Sequence, residues 1–124
     1  MSDRRVLVAE DEPPVSMLLE DLLQVLGFDR VHVVSRLDEG LAAAQGEAFD
    51  LAFLDLNLNG ELTYPIADQL SARGIPFAMV TGYRPAGLDE RHRRAEVLQK
   101  PFTVDEVSSL LDRLIGSKGV SDQP

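Results

Sequence analysis

Short, nearly continuous apolar runs alternate with longer amphipathic segments along most of the chain. Runs without polar alternation are typical of strands buried on both faces of a parallel sheet. The amphipathic segments repeat their apolar residues at spacings of three and four, which is typical of helices that pack through one face. Five strands are predicted on this basis, at 5–9, 31–34, 50–55, 75–81 and 96–100.

Proline, glycine and hydroxyl residues mark where the helices between these strands begin and end. The first helix is predicted to begin at Pro13-Pro14 and to end before Gly27. Ser35 is predicted to cap a short helix that ends near Gly46. A further helix is predicted over 64–73, so each strand is followed by a helix or a long connection.

The clearest helix start lies after the fifth strand. Thr103 and Glu106 have the spacing of a capping box, and Gly116 is predicted to end this helix. Residues 117–124 are predicted to form a polar, disordered tail. Residues 1–116 are therefore predicted to form one domain.

Two internal segments lack a regular pattern. Residues 57–60 are predicted to be a loop, and 82–94 a long loop with at most a short helix at 88–94. Repeated β–α units with short connections predict right-handed crossovers and a parallel sheet between helices. The expected fold is α/β, a flavodoxin-like (βα)5 doubly wound sheet with strand order 2-1-3-4-5.

Composition agrees with one domain in a reducing compartment. The chain has 124 residues, is 44% hydrophobic and contains no cysteine, which excludes disulfides and thiolate metal sites. No apolar stretch is long enough for a membrane span or for a signal peptide. A cytoplasmic location without membrane attachment is expected.

The net charge of −9 disfavours binding to nucleic acid. One cluster of basic residues is an exception to the acidic character of the chain, and it consists of Arg84, Arg91, His92, Arg93 and Arg94. It is interpreted first as a solvated face and second as a docking surface for an acidic protein. Nucleic-acid binding is the weakest interpretation because no stacking aromatics accompany the arginines.

Reactive side chains lie at the ends of four of the predicted strands. Glu10 and Asp11 follow the first strand, Asp55 ends the third, Thr81 the fourth and Lys100 the fifth. Because the carboxyl ends of parallel strands meet at one edge of a sheet, these side chains are expected to share a pocket.

The chemistry of that pocket favours phosphoryl transfer with Mg²⁺. Crowded carboxylates repel one another unless a cation is present, and an all-oxygen site with few protein ligands suits Mg²⁺. Lys100 and Thr81 would supply a positive charge and a hydroxyl donor to a phosphoryl group. Asp55 is the candidate nucleophile, whereas Glu12 is interpreted as a solvated acid at the start of a helix.

At this point the chain resembles the receiver domains of two-component response regulators. The matching stretches keep the order and approximate spacing of that family's motifs over residues 4–115; they are 6–13, 50–58, 80–82 and 100–102. Residues 76–83 are also similar to a receiver subgroup with a Phe-Ala-x-x-Thr-Gly-x-Tyr-like signature in general stress signalling.

The resemblance implies a role for each candidate residue. Asp55 would be the phosphorylation site, with Thr81 and Lys100 contacting the phosphoryl oxygens. The Lys100-Pro101 peptide bond would be cis. The implied Mg²⁺ ligands are Glu10, Asp11, Asp55 and the backbone carbonyl of Asn57.

Three positions depart from the usual family pattern. Val97 stands where many receivers carry a mobile aromatic, so Tyr83 is considered as the switch residue beside Thr81, or as a residue that simply packs on the sheet edge. Glu10 replaces the commoner aspartate, and Asn59 stands where a proline is usual.

The predicted function is that of a single-domain response regulator, a switch that gains and loses phosphate rather than a turnover enzyme. Its expected partners are a sensor histidine kinase or histidine phosphotransfer protein and a downstream protein target. It would signal by phosphorylation-dependent contact or by competing for phosphate. The alternatives are a Mg²⁺-dependent phosphatase or phosphotransferase, which usually has a second acid where Asn57 stands, and a degenerate receiver that only binds partners.

Overall fold

A parallel five-stranded sheet forms the centre of the computed structural model, which describes residues 4–82 and 96–116. The strands in chain order are β1 (Arg5–Ala9), β2 (Arg30–Val34), β3 (Leu51–Asp55), β4 (Asn57–Leu58), β5 (Glu61–Leu62), β6 (Phe77–Thr81) and β7 (Glu96–Gln99). The central sheet has the order β2-β1-β3-β6-β7, and β4 pairs separately with β5. The five strands of the central sheet, counted along the chain, therefore have the predicted order 2-1-3-4-5.

Helices cover both faces of this sheet. They are α1 (Pro13–Val25), α2 (Leu37–Gly46), α3 (Tyr64–Ala72) and α4 (Val104–Leu111), and α4 continues as a π-helical turn over Asp112–Gly116. The predicted capping box of α4 is confirmed, because Thr103 Oγ1 accepts from the Glu106 N–H at 3.1 Å and Glu106 Oε1 accepts from the Thr103 N–H at 2.8 Å.

The core consists of two clusters, one on each face of the sheet. Alternate residues of β1 belong to different clusters, with Leu7 and Ala9 in one and Val6 and Val8 in the other. The first cluster includes residues of α2 and α3, and the second includes residues of α1 and α4. Because both faces are covered, β1 and β3 need no polar alternation, which explains their continuous apolar sequence.

The prediction of a loop at 57–60 is wrong, because these residues belong to a β-hairpin. Asn57 pairs with Leu62 and Leu58 with Glu61, and the turn residues Asn59 and Gly60 have φ angles of 51° and 91°. Asn-Gly is the dipeptide favoured in type I′ hairpin turns, where both residues need positive φ.

The predicted cap at Ser35 is also wrong. Arg36 occupies the N-cap of α2 and makes no side-chain cap bond. Instead the Ser35 N–H donates to Glu39 Oε1 at 3.2 Å. The side chain of an acid in the first turn therefore satisfies a backbone donor of the segment that leads into the helix.

Several predictions lie outside the described residues. They concern the short helix at 88–94, the basic cluster between 84 and 94, Tyr83 and the tail at 117–124. Among the described helices, none is both long and apolar enough to cross a membrane.

Candidate functional site

The register of β1 and β3 brings the first acidic residues together. Ala9 pairs with Leu54 in these neighbouring strands, so Glu10 and Asp55 follow side by side at the same edge. Both are polar residues in a buried position, with 3% and 8% of their surface exposed. Asp11 is half-buried and lies next to them along the chain.

The other half of the sheet adds Thr81 and Lys100. Asp55 pairs with Val80, which places Thr81 one residue beyond it on β6. Thr81 is buried and ends β6, and its carbonyl accepts from the Lys100 N–H at 2.9 Å. The Lys100-Pro101 peptide bond is cis, which confirms the expectation from the family resemblance.

Lys100 lies at the centre of the acidic side chains. Its Nζ is 3.1 Å from Asp55 Oδ2, 3.1 Å from Glu12 Oε1 and 3.2 Å from Glu10 Oε1. The first and third of these carboxylates are buried, so solvent screens their interaction with the ammonium much less than at the surface. Lys100 therefore neutralises part of a buried negative cluster.

The carboxylates are close enough to share one cation. Ligand oxygens of Glu10, Asp11, Glu12 and Asp55 all lie within 4.8 Å of one another. A small set of carboxylate oxygens, open to water on one side through the exposed Glu12, has the donor chemistry that Mg²⁺ requires. The residues present therefore fit this ion.

Burial and the charges in the pocket shift two ionisation equilibria. The pKa of Glu10 is raised to about 7, first by burial and then by the hydrogen bond and the charge of Asp55, while Lys100 acts in the opposite sense. Burial alone would lower the pKa of Lys100, but the carboxylates of Asp55, Glu10 and Glu12 outweigh it and raise that pKa above its ordinary value. The ammonium is therefore fully charged at neutral pH.

The hairpin points backbone donors at two of the acids. The Asn59 N–H donates to Asp11 Oδ2 at 2.8 Å, and the Asn57 N–H donates to Asp55 Oδ1 at 3.2 Å. The Asn57 side chain in turn accepts from the Gly60 N–H at 2.7 Å, which supports the turn. A proline at position 59 has no N–H, so the asparagine makes the contact to Asp11 possible.

The structure thus brings the carboxylates of Glu10, Asp11 and Asp55 together with Lys100. Thr81 lies at the same strand edge, and Asn57 reaches Asp55 through its backbone N–H. Two contributors were missed or misinterpreted. Glu12 is exposed as expected, yet it also accepts from Lys100. Thr63, which lies between the predicted loop and the predicted helix and was not singled out, is completely buried and its hydroxyl donates to the Asp55 carbonyl at 2.7 Å. A threonine directly before a helix that has proline in its first turn was the available signal, since such positions often hold hydroxyl residues that bond to the backbone.

Known proteins resemble the chain over nearly its whole length. The family model for the response regulator receiver domain matches residues 6–112. The protein TcrA of Mycobacterium tuberculosis, described as a transcriptional regulatory protein, is 31% identical over an alignment that covers 100% of this chain and 50% of TcrA. The chain spans about half the length of the curated relatives that it matches first.

Two solved structures of SdrG share the fold at sequence identities of 43% and 40%. SdrG from Sphingomonas melonis Fr1 is 43% identical with a TM-score of 0.83, covering 93% of this chain and 99% of SdrG. A BeF3-activated conformation of SdrG, from Pseudomonas melonis Fr1, is 40% identical with a TM-score of 0.77, over 92% and 99% of the two chains.

A third solved structure holds a metal ion. The receiver domain of the sensor histidine kinase PA1611 from Pseudomonas aeruginosa PAO1 has a magnesium ion coordinated in its active site cleft. It is 25% identical with a TM-score of 0.74, over 93% of this chain and 99% of that one. Since the family model covers most of the sequence and the fold agrees, the chain belongs to the response regulator receiver domain family.

Proposed function

We propose that this receiver domain accepts a phosphoryl group on the carboxylate of Asp55. The contact that carries the proposal is the one between Lys100 Nζ and Asp55 Oδ2 at 3.1 Å, inside a cluster of carboxylates at the carboxyl edge of the sheet. Asp55 is buried, and the backbone N–H of Asn57 donates to its other carboxylate oxygen, Oδ1. The nucleophile is thus oriented before a donor arrives, which lowers the entropic part of the barrier.

The proposed step is an in-line transfer from a phosphohistidine. One carboxylate oxygen of Asp55 forms a bond to phosphorus while the phosphorus–nitrogen bond of the donor breaks. The electron pair of that bond returns to the histidine nitrogen, which takes up a proton. The product is an aspartyl phosphate, whose added negative charge lies beside the Lys100 ammonium and the hydroxyl of Thr81.

Mg²⁺ is the proposed cofactor, and when bound it would neutralise charge on the transferring phosphoryl oxygens. Its proposed ligands are Glu10, Asp11, Asp55 and the backbone carbonyl of Asn57. The common edge position and the oxygen distances within 4.8 Å for the three acids support this set. The magnesium ion in the PA1611 receiver domain is further support.

The proposed donor is a sensor histidine kinase or a histidine phosphotransfer protein, and the proposed output is contact with a downstream protein or competition for phosphate. Thr81 and Tyr83 are proposed as the residues that respond to phosphorylation, and a BeF3-activated conformation of the similar protein SdrG supports a conformational response. A cytoplasmic location is proposed because the chain contains no cysteine and so needs no oxidising compartment. Neither nucleic acid nor a membrane is a proposed partner.

The test is covalent labelling of the intact protein with acetyl phosphate and Mg²⁺. Wild type should gain the mass of one phosphoryl group in a linkage that is stable to acid and labile to base. Asp55→Asn should lose the adduct, whereas Asp21→Asn, which changes an exposed acid on α1, should keep it. An adduct that persists in Asp55→Asn contradicts the proposal, and steady turnover of a phosphomonoester would indicate a phosphatase instead.

A further inference from the structure

Thr63 closes the hairpin segment back onto the strand that carries Asp55. It lies directly after β5 and directly before α3, and none of its surface is exposed. Its Oγ1 donates to the Asp55 carbonyl at 2.7 Å and lies 3.3 Å from the Leu56 carbonyl, and its N–H donates to the Leu56 carbonyl at 3.0 Å. Three contacts from one residue therefore hold the backbone at the exact point where β3 ends.

Thr63 also joins this point to α3. Its carbonyl accepts from the N–H groups of Ile66 and Ala67 at 3.0 and 3.1 Å, which form the first turn of the helix. Ile66 and Ala67 are completely buried in the core. The hydroxyl is therefore anchored on a rigid element, because the backbone that carries it cannot shift without disturbing that packing.

The segment enclosed by this closure supplies the backbone donors of the site. Between Asp55 and Thr63 lie the N–H of Asn57, which donates to Asp55 Oδ1, and the N–H of Asn59, which donates to Asp11 Oδ2. Both donors belong to the hairpin segment, and Thr63 joins the two ends of that segment. A change in the Asp55–Thr63 contact thus reaches two carboxylates of the site.

We propose that Thr63 is a positioning residue, whose hydroxyl holds the Asp55 backbone and the hairpin so that the carboxylates keep the geometry needed for phosphoryl acceptance. This rests on the function proposed above and extends it to a residue that touches neither phosphate nor metal. The side chain acts only through the backbone of Asp55 and Leu56. Small displacements of a nucleophile cost large factors in rate, so a lost hydroxyl contact should be visible in the kinetics.

The experiment compares Thr63→Val, Thr63→Ser and wild type in labelling by saturating acetyl phosphate with saturating Mg²⁺. Valine keeps the shape of threonine without its hydroxyl, and serine keeps the hydroxyl. Labelling of Thr63→Val should be roughly tenfold slower than that of wild type, with Thr63→Ser close to wild type. The affinity for Mg²⁺, measured by calorimetry, should fall in Thr63→Val and be restored in Thr63→Ser.

Ser16→Ala is the matched control for general loss of a buried hydroxyl. Ser16 is also buried, and its Oγ donates to a backbone carbonyl, that of Pro13, at 3.2 Å. Rates are compared at a temperature where circular dichroism shows every variant to be folded, so that lower stability alone leaves them unchanged. Ser16→Ala should then label at the wild-type rate.

If Thr63→Val does not fold, Thr63→Cys replaces it, because a thiol is a weak donor and should give a rate between those of the serine variant and a variant without any donor. A folded Thr63→Val, or in its place Thr63→Cys, that labels as fast as Thr63→Ser contradicts this inference alone. No labelling of wild type contradicts the proposed function and this inference with it.

Discussion

Glu10 and Lys100 have opposite effects on the folded state although they lie in the same pocket. Glu10 is almost completely buried beside Asp55, so its ionisation adds a second negative charge where solvent cannot screen it. Lys100 is a cation that contacts both acids, with its side chain 19% exposed. Removing the Glu10 carboxylate and removing the Lys100 ammonium should therefore change the free energy of unfolding in opposite directions.

Glu10→Gln is expected to stabilise the fold when no divalent cation is present. The pKa of Glu10 is raised from 4.5 to about 7, and each unit corresponds to about 1.4 kcal/mol. The free energy of unfolding in mildly alkaline buffer with a chelator should rise by about 1 to 3 kcal/mol, since Lys100 keeps Asp55 and Glu12 as partners. Urea unfolding measures it, with the exposed Glu61→Gln as control; a loss of stability in Glu10→Gln would refute the expectation.

Lys100→Met is expected to destabilise the fold under the same conditions. The change leaves the carboxylates of Glu10 and Asp55 buried without their cation, which should cost about 2 to 4 kcal/mol. The control is Arg36→Met, which breaks an exposed ion pair with Asp38 and should cost at most about 1 kcal/mol. Equal costs for the two variants would mean that burial adds nothing to the Lys100 contacts.

At the scale of elements, the contact between α2 and α3 depends on one glycine. A Cβ on Gly40 would overlap Cδ1 of Ile66 and would lie 3.5 Å from Cγ2 of Val34. Ile66 is completely buried, so its side chain has little room to move away. A side chain at position 40 would therefore require the buried Ile66 side chain to shift within the core.

Gly40→Ala should therefore destabilise the fold by about 1 to 3 kcal/mol through overpacking. Gly46, in the same helix, is the matched control, because a Cβ there would meet nothing within 4 Å. Gly46→Ala should be neutral or stabilising by up to about 1 kcal/mol, since alanine favours helix more than glycine does. Thermal unfolding of both variants measures the difference, and an equal response would mean that the α2–α3 contact adapts freely.

Most helices and strands were predictable from the apolar pattern. The errors concern the hairpin, where a turn signal was overlooked, and the start of α2. The buried strands and the capping box of Thr103 were predictable because burial on both faces and reciprocal cap bonds leave direct traces in sequence. The hairpin was missed although Asn59-Gly60 is a turn signal, because its two strands have only two residues each and show no period. Helix α2 begins without a side-chain cap, which propensity alone cannot indicate.

The site was predictable to the extent that it depends on strand ends. Asp55 and Thr81 end parallel strands and Glu10 and Lys100 directly follow them, so the strand order determines that they meet. Thr63 could not be placed in the same way, because its contact with Asp55 depends on how the hairpin returns to β3. A contact that depends on the course of a loop is determined by the tertiary structure, whereas contacts at strand ends are determined by the strand order.

At the scale of the whole molecule, the pH and Mg²⁺ dependence of stability should be linked. Without metal, the folded state holds a proton on Glu10 up to about pH 7, while the unfolded state releases it near 4.5. The folded state therefore binds more protons in this window, and the free energy of unfolding should fall as the pH rises from about 4.5 to about 7. Lys100 does not contribute there, because its pKa is raised and it stays charged in this range.

Mg²⁺ should weaken or reverse this slope, since a cation needs ionised carboxylates and so binds more tightly as the pH rises. At about a hundredfold excess over its dissociation constant, an ion that binds only the folded state adds about 2.7 kcal/mol. The net charge of −9 makes any salt stabilising through screening, so Na⁺ at equal ionic strength is the control for urea unfolding across this pH range. Equal effects of the two cations, or an unchanged slope in Glu10→Gln without metal, would contradict a shared origin in this carboxylate cluster.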